Sequence, residues 1–236
     1  MQQNDTRAGL WCVVPAAGRG VRFGAELPKQ YVQLAGRPLL AWTLQRLAEC
    51  RDIAGLMVVL AEHDAHWPGI ESIGGKPVLT TIGAAERSGS VLAGLRALPD
   101  AVAPNDYVLV HDAARPCVRV DDIARLVAEG CAAGGGLLAA PVRDTLKRAD
   151  EGLRVAATEP REACWRALTP QLFRRGELTA ALEHAAALGI AITDEAMAME
   201  RMGHRPLLVE GADSNIKVTT PADLALAEYL LSKADR

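Results

Sequence analysis

Residues 10–22 of this 236-residue chain have the sequence LWCVVPAAGRGVR, which is the strongest indication of its fold. The first five residues of this stretch form an uninterrupted apolar run, which is the pattern of a strand buried on both faces of a sheet. The small residues that follow let the backbone come close to a phosphate or a base, and their N–H groups bind anions. Because Arg22 and Lys29 add two cations nearby, this part of the chain predicts a strand that leads into an anion-binding loop.

Further apolar runs without polar alternation follow, and helical patterns separate most of them. The predicted strands are residues 10–14, 55–60, 78–82, 107–110, 137–140, 207–210 and 216–218. The predicted helices begin at Pro38, Arg87, Asp121, Gly176 and Pro221. This order predicts an α/β fold, a single Rossmann-like domain over residues 1–236 with a mostly parallel twisted sheet and helices on both faces. Residues 143–164 are charged and without a period, and we interpret them as a protruding β-arm that meets another subunit.

Composition narrows the choice of partners and compartment. The formal net charge is -3 and 23% of the residues are charged, which gives no reason to expect nucleic acid or a membrane surface as a partner. The sequence has no run of ~18 apolar residues that would span a bilayer and no signal-peptide pattern at its start. The five cysteines are scattered and never form a CxxC pair. A reducing, cytoplasmic location is therefore expected.

The segment HDAARP, residues 111–116, follows a predicted strand. A carboxylate at the end of a strand is well placed to hold Mg²⁺ against triphosphate oxygens, so Asp112 is a candidate metal ligand. The alternative for Asp112 is a helix or turn cap. His111 is interpreted as a packed, hydrogen-bonded histidine rather than a catalytic one.

Two further segments carry weaker signals. Residues 83–91 precede a predicted helix, so their N–H groups and Ser90 are suited to a nucleotide, although a plain helix cap is an equal alternative. Lys217 lies in an otherwise apolar segment, where a lysine is costly unless it has an anionic partner.

Several other chemistries lack support in the sequence. No helix starts directly after the glycines of the first loop, as a dinucleotide-binding GxGxxG motif requires, and there is no GxxxxGK[ST] loop. His63 and His66 have the spacing of one helix face, but no further ligands complete a zinc site. No GxSxG motif indicates acyl transfer by a serine nucleophile.

Seven motifs together indicate a family. They are PAAGRGVR (15–22), PKQY (28–31), HDAARP (111–116), APVRDTLK (140–147), LTPQ (168–171), TDEA (193–196) and NIKVTTPADLALAE (215–228). With them the chain resembles the 2-C-methyl-D-erythritol 4-phosphate cytidylyltransferases, nucleotidyltransferases of the non-mevalonate isoprenoid route. The resemblance implies transfer of the cytidylyl group of CTP to methylerythritol 4-phosphate, a magnesium cofactor, and a homodimer joined by the arm.

The resemblance also implies roles for individual residues. Nucleotide contacts are expected from Ala16, Ala17, Gly18, Gly20, Gly83, Ala84, Ala85 and Ser90. Arg22 and Lys29 are expected to stabilise the transition state, Arg161 and Lys217 to position the substrate phosphate, and Asp112 to hold Mg²⁺. The sugar-alcohol site is expected to comprise Asp112, Arg115, Thr145, Thr169 and Thr193, with arm residues such as Arg161 reaching the neighbouring subunit's site.

One departure from the family pattern concerns the base. The family often has two glycines and then an acidic residue where this chain has Gly83, Ala84 and Ala85, so a contact that needs the acidic side chain is lost. Two alternatives remain open at this point. One is a cytidylyltransferase for ribitol 5-phosphate or a related sugar phosphate, and the other is a module that binds CTP without turnover.

Overall fold

The computed structural model describes residues 9–18 and 27–234. The strands are β1 (Leu10–Pro15), β2 (Gln33–Leu34), β3 (Arg37–Pro38), β4 (Ile53–Leu60), β5 (Ser72–Ile73), β6 (Lys76–Ile82), β7 (Tyr107–Val110), β8 (Gly136–Pro141), β9 (Leu146–Ala149), β10 (Val155–Glu159), β11 (Trp165–Arg174) and β12 (Leu207–Glu210). The helices are α1 (Leu39–Glu49), α2 (Arg87–Arg96), α3 (Val120–Ala133), α4 (Arg175–Ala187), α5 (Glu195–Arg201) and α6 (Pro221–Ala234). A short 3-10 helix spans Lys29–Tyr31.

Eight of these strands form one sheet in the order β12-β8-β11-β7-β1-β4-β6-β5. The strand β1 runs parallel to both β4 and β7, β4 runs parallel to β6, and β12 runs parallel to β8. The strand β11 is antiparallel to both of its neighbours, and β5 is antiparallel to β6. The predicted α/β fold with a mostly parallel sheet is confirmed.

Helices cover both faces of this sheet. One buried cluster joins Cys12 and Leu56 to residues of α1 and α3. The adjacent residues Val13 and Met57 belong to a second cluster with α2, α4 and α5. Because successive residues of a strand point to opposite faces, apolar residues at every position bury both faces, which is why the first run lacks polar alternation.

Two predictions near the end of the chain need correction. The strand β11 is missing from the predictions because Pro170 interrupts its pattern, and proline is unusual inside a sheet. The ladder accommodates it by a register shift between Ala167 and Gln171. The strand predicted at 216–218 is wrong, because this segment forms no ladder and is joined to the neighbouring loop by the Val218 N–H, which donates to the Ala114 carbonyl at 2.8 Å.

Helix starts follow the predicted chemistry in one case and differ in another. The Thr220 hydroxyl and the Asp223 carboxylate bond each other's backbone N–H groups at 3.3 and 2.8 Å, so α6 begins with the predicted capping box. Pro38 lies one residue before α1, at its N-cap, rather than at the predicted first helical position.

The predicted arm contains a two-stranded antiparallel hairpin, β9 with β10, which is separate from the main sheet. Asp150 Oδ1 accepts the N–H groups of Gly152 and Arg154, both at 2.9 Å, and so forms the turn. Leu153 is 90% exposed and Val155 is 65% exposed. The role of the arm in dimerisation stays a prediction.

Within the described part of the chain, we find no helix with the length and apolarity that crossing a membrane requires.

Candidate active site

A cleft of about 290 Å³ lies at the carboxyl edge of the parallel strands, where sheets of this type bind ligands. Its walls come from the segments that follow β1, β6 and β7, from the 3-10 helix, and from the segment before α6. The lining residues are Pro15, Ala16, Ala17, Gly18, Lys29, Gln30, Ala84, Ala85, Glu86, Arg87, Ser90, Asp112, Ala113, Ala114 and Lys217.

The first wall is the loop after β1. The Ala16 N–H donates to the Val59 carbonyl at 2.8 Å, which continues the sheet by one residue. The buried Gln30 side chain donates to the Ala16 carbonyl at 2.6 Å, and this bond places the neighbouring Lys29 at the cleft. The predicted residues Gly20 and Arg22 lie outside the described residues.

The second wall is the loop between β6 and α2. The Ser90 hydroxyl accepts the Ala84 N–H at 3.1 Å and lies 3.1 Å from the Glu86 carbonyl, so it holds the loop. Gly83 packs behind this loop, and a Cβ there would lie 2.7 Å from Ser90 Oγ and 2.8 Å from Ala17 Cβ. Gly83 therefore permits close packing, while Ala84 and Ala85 face the cleft.

Asp112 lies at the centre of the third wall and contacts three cations. Arg87 Nε donates to Asp112 Oδ1 at 2.9 Å, Lys217 Nζ lies 2.8 Å from Oδ2, and Arg115 Nε lies 3.6 Å from Oδ2. Burial alone would raise the pKa of Asp112, but the charges of Arg87, Lys217 and Arg115 outweigh it and hold the pKa well below its usual range. The carboxylate is therefore ionised at neutral pH, and Lys217 has the anionic partner that its apolar surroundings predict.

A buried hydrogen-bond chain fixes the backbone beneath Asp112. Thr169 Oγ1 accepts the Asp112 N–H at 3.1 Å. The Arg115 carbonyl can only accept, so His111 Nε2 carries the proton and donates to it at 3.1 Å. In the neutral ring, Nδ1 then accepts from the Thr169 hydroxyl at 3.0 Å. Burial lowers the pKa of His111 to about 4. His111 is thus a neutral histidine with both ring nitrogens engaged, as the sequence indicates.

Arg115 is buried beside these hydrogen bonds. Its Nη1 donates to the Asn215 carbonyl at 2.6 Å, and the Asn215 amide donates to the Thr169 carbonyl at 2.7 Å. Arg115 Nε has no hydrogen-bond partner and is buried, and the same is true of Asn215 Oδ1. Arg115 and Thr169 therefore lie next to Asp112, but neither lines the cleft.

The donor chemistry of the cleft fits a magnesium ion that arrives with phosphates. Asp112 and Glu86 are the carboxylates among the lining residues. Magnesium keeps several water ligands and needs only one or two carboxylates when a nucleotide supplies the remaining oxygens. Within residues 9–18 and 27–234, no group of three or more His, Cys, Asp and Glu side chains could hold a metal ion alone.

Three predicted residues lie away from the cleft. Thr145 and Arg161 belong to the exposed arm, where Arg161 donates to the Arg143 carbonyl. Thr193 is exposed just before α5, and its hydroxyl lies 3.3 Å from the sulfur of Met197. None of these three residues is among those that line the cleft within one chain.

Sequence reasoning missed a buried ion pair beside the cleft. Arg87 donates to both oxygens of Glu195, at 2.6 and 3.1 Å, although 108 positions separate the two residues. Glu195 lies inside the TDEA motif, so the signal was present, but spacing along the chain cannot pair it with Arg87.

Comparisons with known proteins agree over nearly the whole chain. The family model described as 2-C-methyl-D-erythritol 4-phosphate cytidylyltransferase matches residues 10–233. A protein of that name from Stenotrophomonas maltophilia (strain K279a) is 60% identical over 96% of this chain and 98% of its own length. A crystal structure of the Francisella tularensis protein of that name is 32% identical, with a TM-score of 0.81 over 94% of this chain and 100% of its own. The protein of that name from Thermus thermophilus is 35% identical, with a TM-score of 0.77 over 95% and 99%.

Proposed function

Starting from the fact that this chain belongs to the 2-C-methyl-D-erythritol 4-phosphate cytidylyltransferase family, we propose how its cleft carries out the reaction. The enzyme transfers the cytidylyl group of CTP to 2-C-methyl-D-erythritol 4-phosphate, releasing pyrophosphate and forming 4-diphosphocytidyl-2-C-methyl-D-erythritol for isoprenoid biosynthesis. The observation that carries the mechanism is the ionised Asp112 among Arg87, Arg115 and Lys217 at the carboxyl edge of the sheet.

The nucleophile needs no protein base. A phosphate monoester has a second pKa of about 6, so at neutral pH it is largely a dianion. One of its oxygens forms a bond to the α-phosphorus of CTP. The bond from that phosphorus to the β-phosphate oxygen breaks, and pyrophosphate leaves with the electron pair. His111 is not available as a base, because both of its ring nitrogens are hydrogen-bonded.

The barrier lies in bringing one anion to another, so catalysis is positioning and charge neutralisation. We assign Lys29 and Arg22 to the charge that builds up on the α-phosphate and the leaving pyrophosphate. Lys217 is assigned to the incoming phosphate, because its side chain is 42% exposed at the cleft beside Asp112. The loop from Ala16 to Gly18 and the loop at Ala84 and Ala85 are assigned to the nucleotide.

Magnesium is part of this proposal. Asp112 and Glu86, the carboxylates that line the cleft, would hold the ion, and the ion would supply positive charge that stabilises the negative charge of the phosphates. Because three cations surround Asp112, the ion would bind together with the phosphates of CTP, whose negative charge would offset the repulsion between Mg²⁺ and these cations.

The arm residues are assigned to a neighbouring subunit. Thr145 and Arg161 are exposed on an arm that also exposes Leu153 and Val155. We propose a homodimer in which the arm carries Arg161, Thr145 and their surroundings to the partner's cleft, where they hold the sugar-alcohol phosphate together with Thr193.

We place the enzyme in the cytoplasm. A reducing compartment suits its five free cysteines.

The test is pyrophosphate release from CTP with Mg²⁺ and methylerythritol 4-phosphate. ATP and UTP replace CTP, and ribitol 5-phosphate replaces the acceptor, in parallel reactions. Release that depends on CTP and methylerythritol 4-phosphate supports the function and shows that Ala84 and Ala85 still allow selection of cytosine. Release with another pair changes the substrate, and CTP binding without release from any pair contradicts the enzymatic function.

A further inference from the structure

Glu195 is a buried carboxylate that no step of the mechanism above uses. Its side chain is 1% exposed, and both of its oxygens accept bonds from the Nη atoms of Arg87 at 2.6 and 3.1 Å. The third donor atom of the same guanidinium, Arg87 Nε, donates to Asp112 Oδ1 at 2.9 Å. A planar guanidinium presents its donors in a fixed fork, so the position of Glu195 sets the direction in which Nε points.

Glu195 is itself held firmly by the start of α5. The Asp194 carboxylate accepts the Met197 N–H at 2.9 Å and caps this helix. The buried Gln171 of β11 donates to the same carboxylate at 3.0 Å and accepts the Ala196 N–H at 2.7 Å. Glu195 therefore lies between two residues whose backbone and side-chain groups are tied to the central sheet.

We propose that Glu195 is a positioning residue, which acts through Arg87 to hold the Asp112 carboxylate in place in the cleft. The inference rests on the proposed function, because it concerns the same site. The Arg87 side chain is long and 28% exposed, and without Glu195 it would keep one of its three bonds. Its freed donors would then turn to Asp112 or to a phosphate, and the carboxylate would lose its fixed orientation.

Glu195 also sets the charge that a nucleotide meets. Arg87, Arg115 and Lys217 all contact Asp112, and Arg87 also contacts Glu195, so these five side chains together carry a formal excess of one positive charge. Removing the charge of Glu195 raises the excess to two. Phosphates should then bind more tightly even as Asp112 becomes less well placed.

The substitution Glu195→Gln tests this separation of binding from turnover. We expect kcat to fall by about 10- to 100-fold, as for other groups that orient a ligand-binding residue. The KM for CTP should stay the same or fall, and the inhibition constant of pyrophosphate should fall about three- to tenfold through the added positive charge. The proposal is overturned if the variant has a lower kcat and a lower Tm but an unchanged inhibition constant for pyrophosphate, because that result would show a merely structural role.

The substitution Arg87→Lys gives an independent test that keeps the charge count. A lysine cannot join both carboxylates as the fork does, so kcat should fall by about 10- to 100-fold with the pyrophosphate constant within about twofold of the wild type. The double variant should be no slower than the slower single variant, since both changes break one unit. If Glu195→Gln does not fold, a kcat of Arg87→Lys within about threefold of the wild type overturns the proposal.

The matched control is Arg175→Lys. Arg175 is also partly buried and donates through Nε to the Leu95 carbonyl at 3.1 Å and through Nη1 to the Val102 carbonyl, but it does not line the cleft. We expect its kcat and pyrophosphate constant to match the wild type. If the wild-type protein shows no turnover, the proposed function is contradicted. If the wild type is active and the Glu195→Gln variant has the same kcat and the same pyrophosphate inhibition constant, only this inference is contradicted.

Discussion

The cleft and the arm carry charged side chains in opposite ways. In the cleft, Asp112 is buried, and two of its three cations, Arg87 and Lys217, come from segments far from it in the sequence. On the arm, exposed pairs such as Arg148 with Glu159 join the two strands of one hairpin. Buried ionic groups need complete partners, whereas exposed pairs contribute little stability. The cleft is therefore organised by contacts within one chain, whereas the arm exposes its charged groups on a hairpin that is separate from the main sheet.

The largest effect that this comparison predicts is at Lys29. We expect Lys29→Ala to lower kcat by about 10²- to 10³-fold, because a cation that stabilises transition-state charge is lost. The measurement is the rate of pyrophosphate release at saturating substrates, with Lys233→Ala on α6 as a control that keeps full activity. A Lys29→Ala enzyme with near wild-type kcat would remove this residue from the catalytic group.

Arg161→Ala tests whether the arm serves a neighbour. We expect about a 10- to 100-fold loss of kcat/KM for methylerythritol 4-phosphate, with the KM for CTP little changed, since a charge-assisted phosphate contact is lost. Arg154→Ala at the hairpin turn is the matched control. Subunits carrying Lys29→Ala and Arg161→Ala, mixed and exchanged, should regain about a quarter of wild-type activity, because half of the dimers hold one intact site. No recovery in exchanged mixtures would mean that each arm serves its own cleft.

The buried His111 beneath Asp112 should make the free energy of unfolding depend on pH. Burial lowers the pKa of His111 to about 4, below the value of about 6.5 in the unfolded chain, so its contribution is full above pH 6.5 and is lost as the pH falls toward 4. Chemical unfolding should give a free energy about 2 kcal/mol lower at pH 5 than at pH 7.5 from this group. His111→Gln should flatten this slope, whereas exposed His204→Gln should leave it intact. Equal slopes in all three proteins would contradict the assignment.

The smallest predicted effect is at Ser90. Ser90→Ala removes the hydroxyl that accepts the Ala84 N–H, so the loop between β6 and α2 loses one hydrogen bond that holds it. The KM for CTP should rise about five- to tenfold, the equivalent of one hydrogen bond, with kcat nearly unchanged. Ser232→Ala, which removes an exposed hydroxyl on α6, is the control. A mainly lowered kcat would show that Ser90 acts on the reacting phosphates instead.

The sequence predicts most of the fold, because patterns of neighbouring residues determine buried strands and helix starts. The order in which the eight strands pair is harder to predict from the sequence. The strand β11 is not predicted, because Pro170 interrupts its pattern and a register shift accommodates the proline in the ladder. The segment at 216–218 misleads in the opposite sense, because apolar residues there pack without joining a ladder.

The site follows the same division. Asp112, Lys217 and the small residues after β1 are found from local motifs, and the structure brings them to one cleft. The link from Glu195 to Arg87 depends on how α5 is seated against β11, which no local pattern encodes. The arm residues Thr145 and Arg161 are named by resemblance, and contacts within one chain do not place them in the cleft.

The direction of β11 has a consequence for how the chain can change. The chain leaves β8 at the carboxyl edge of the sheet, makes the arm, and returns through β11, which starts at that same edge because it runs in reverse. A parallel strand in that position would require a crossover to the opposite edge before the sheet could continue. The excursion therefore needs no fixed length, and residues can be added to or removed from its tip while every strand of the sheet keeps its register.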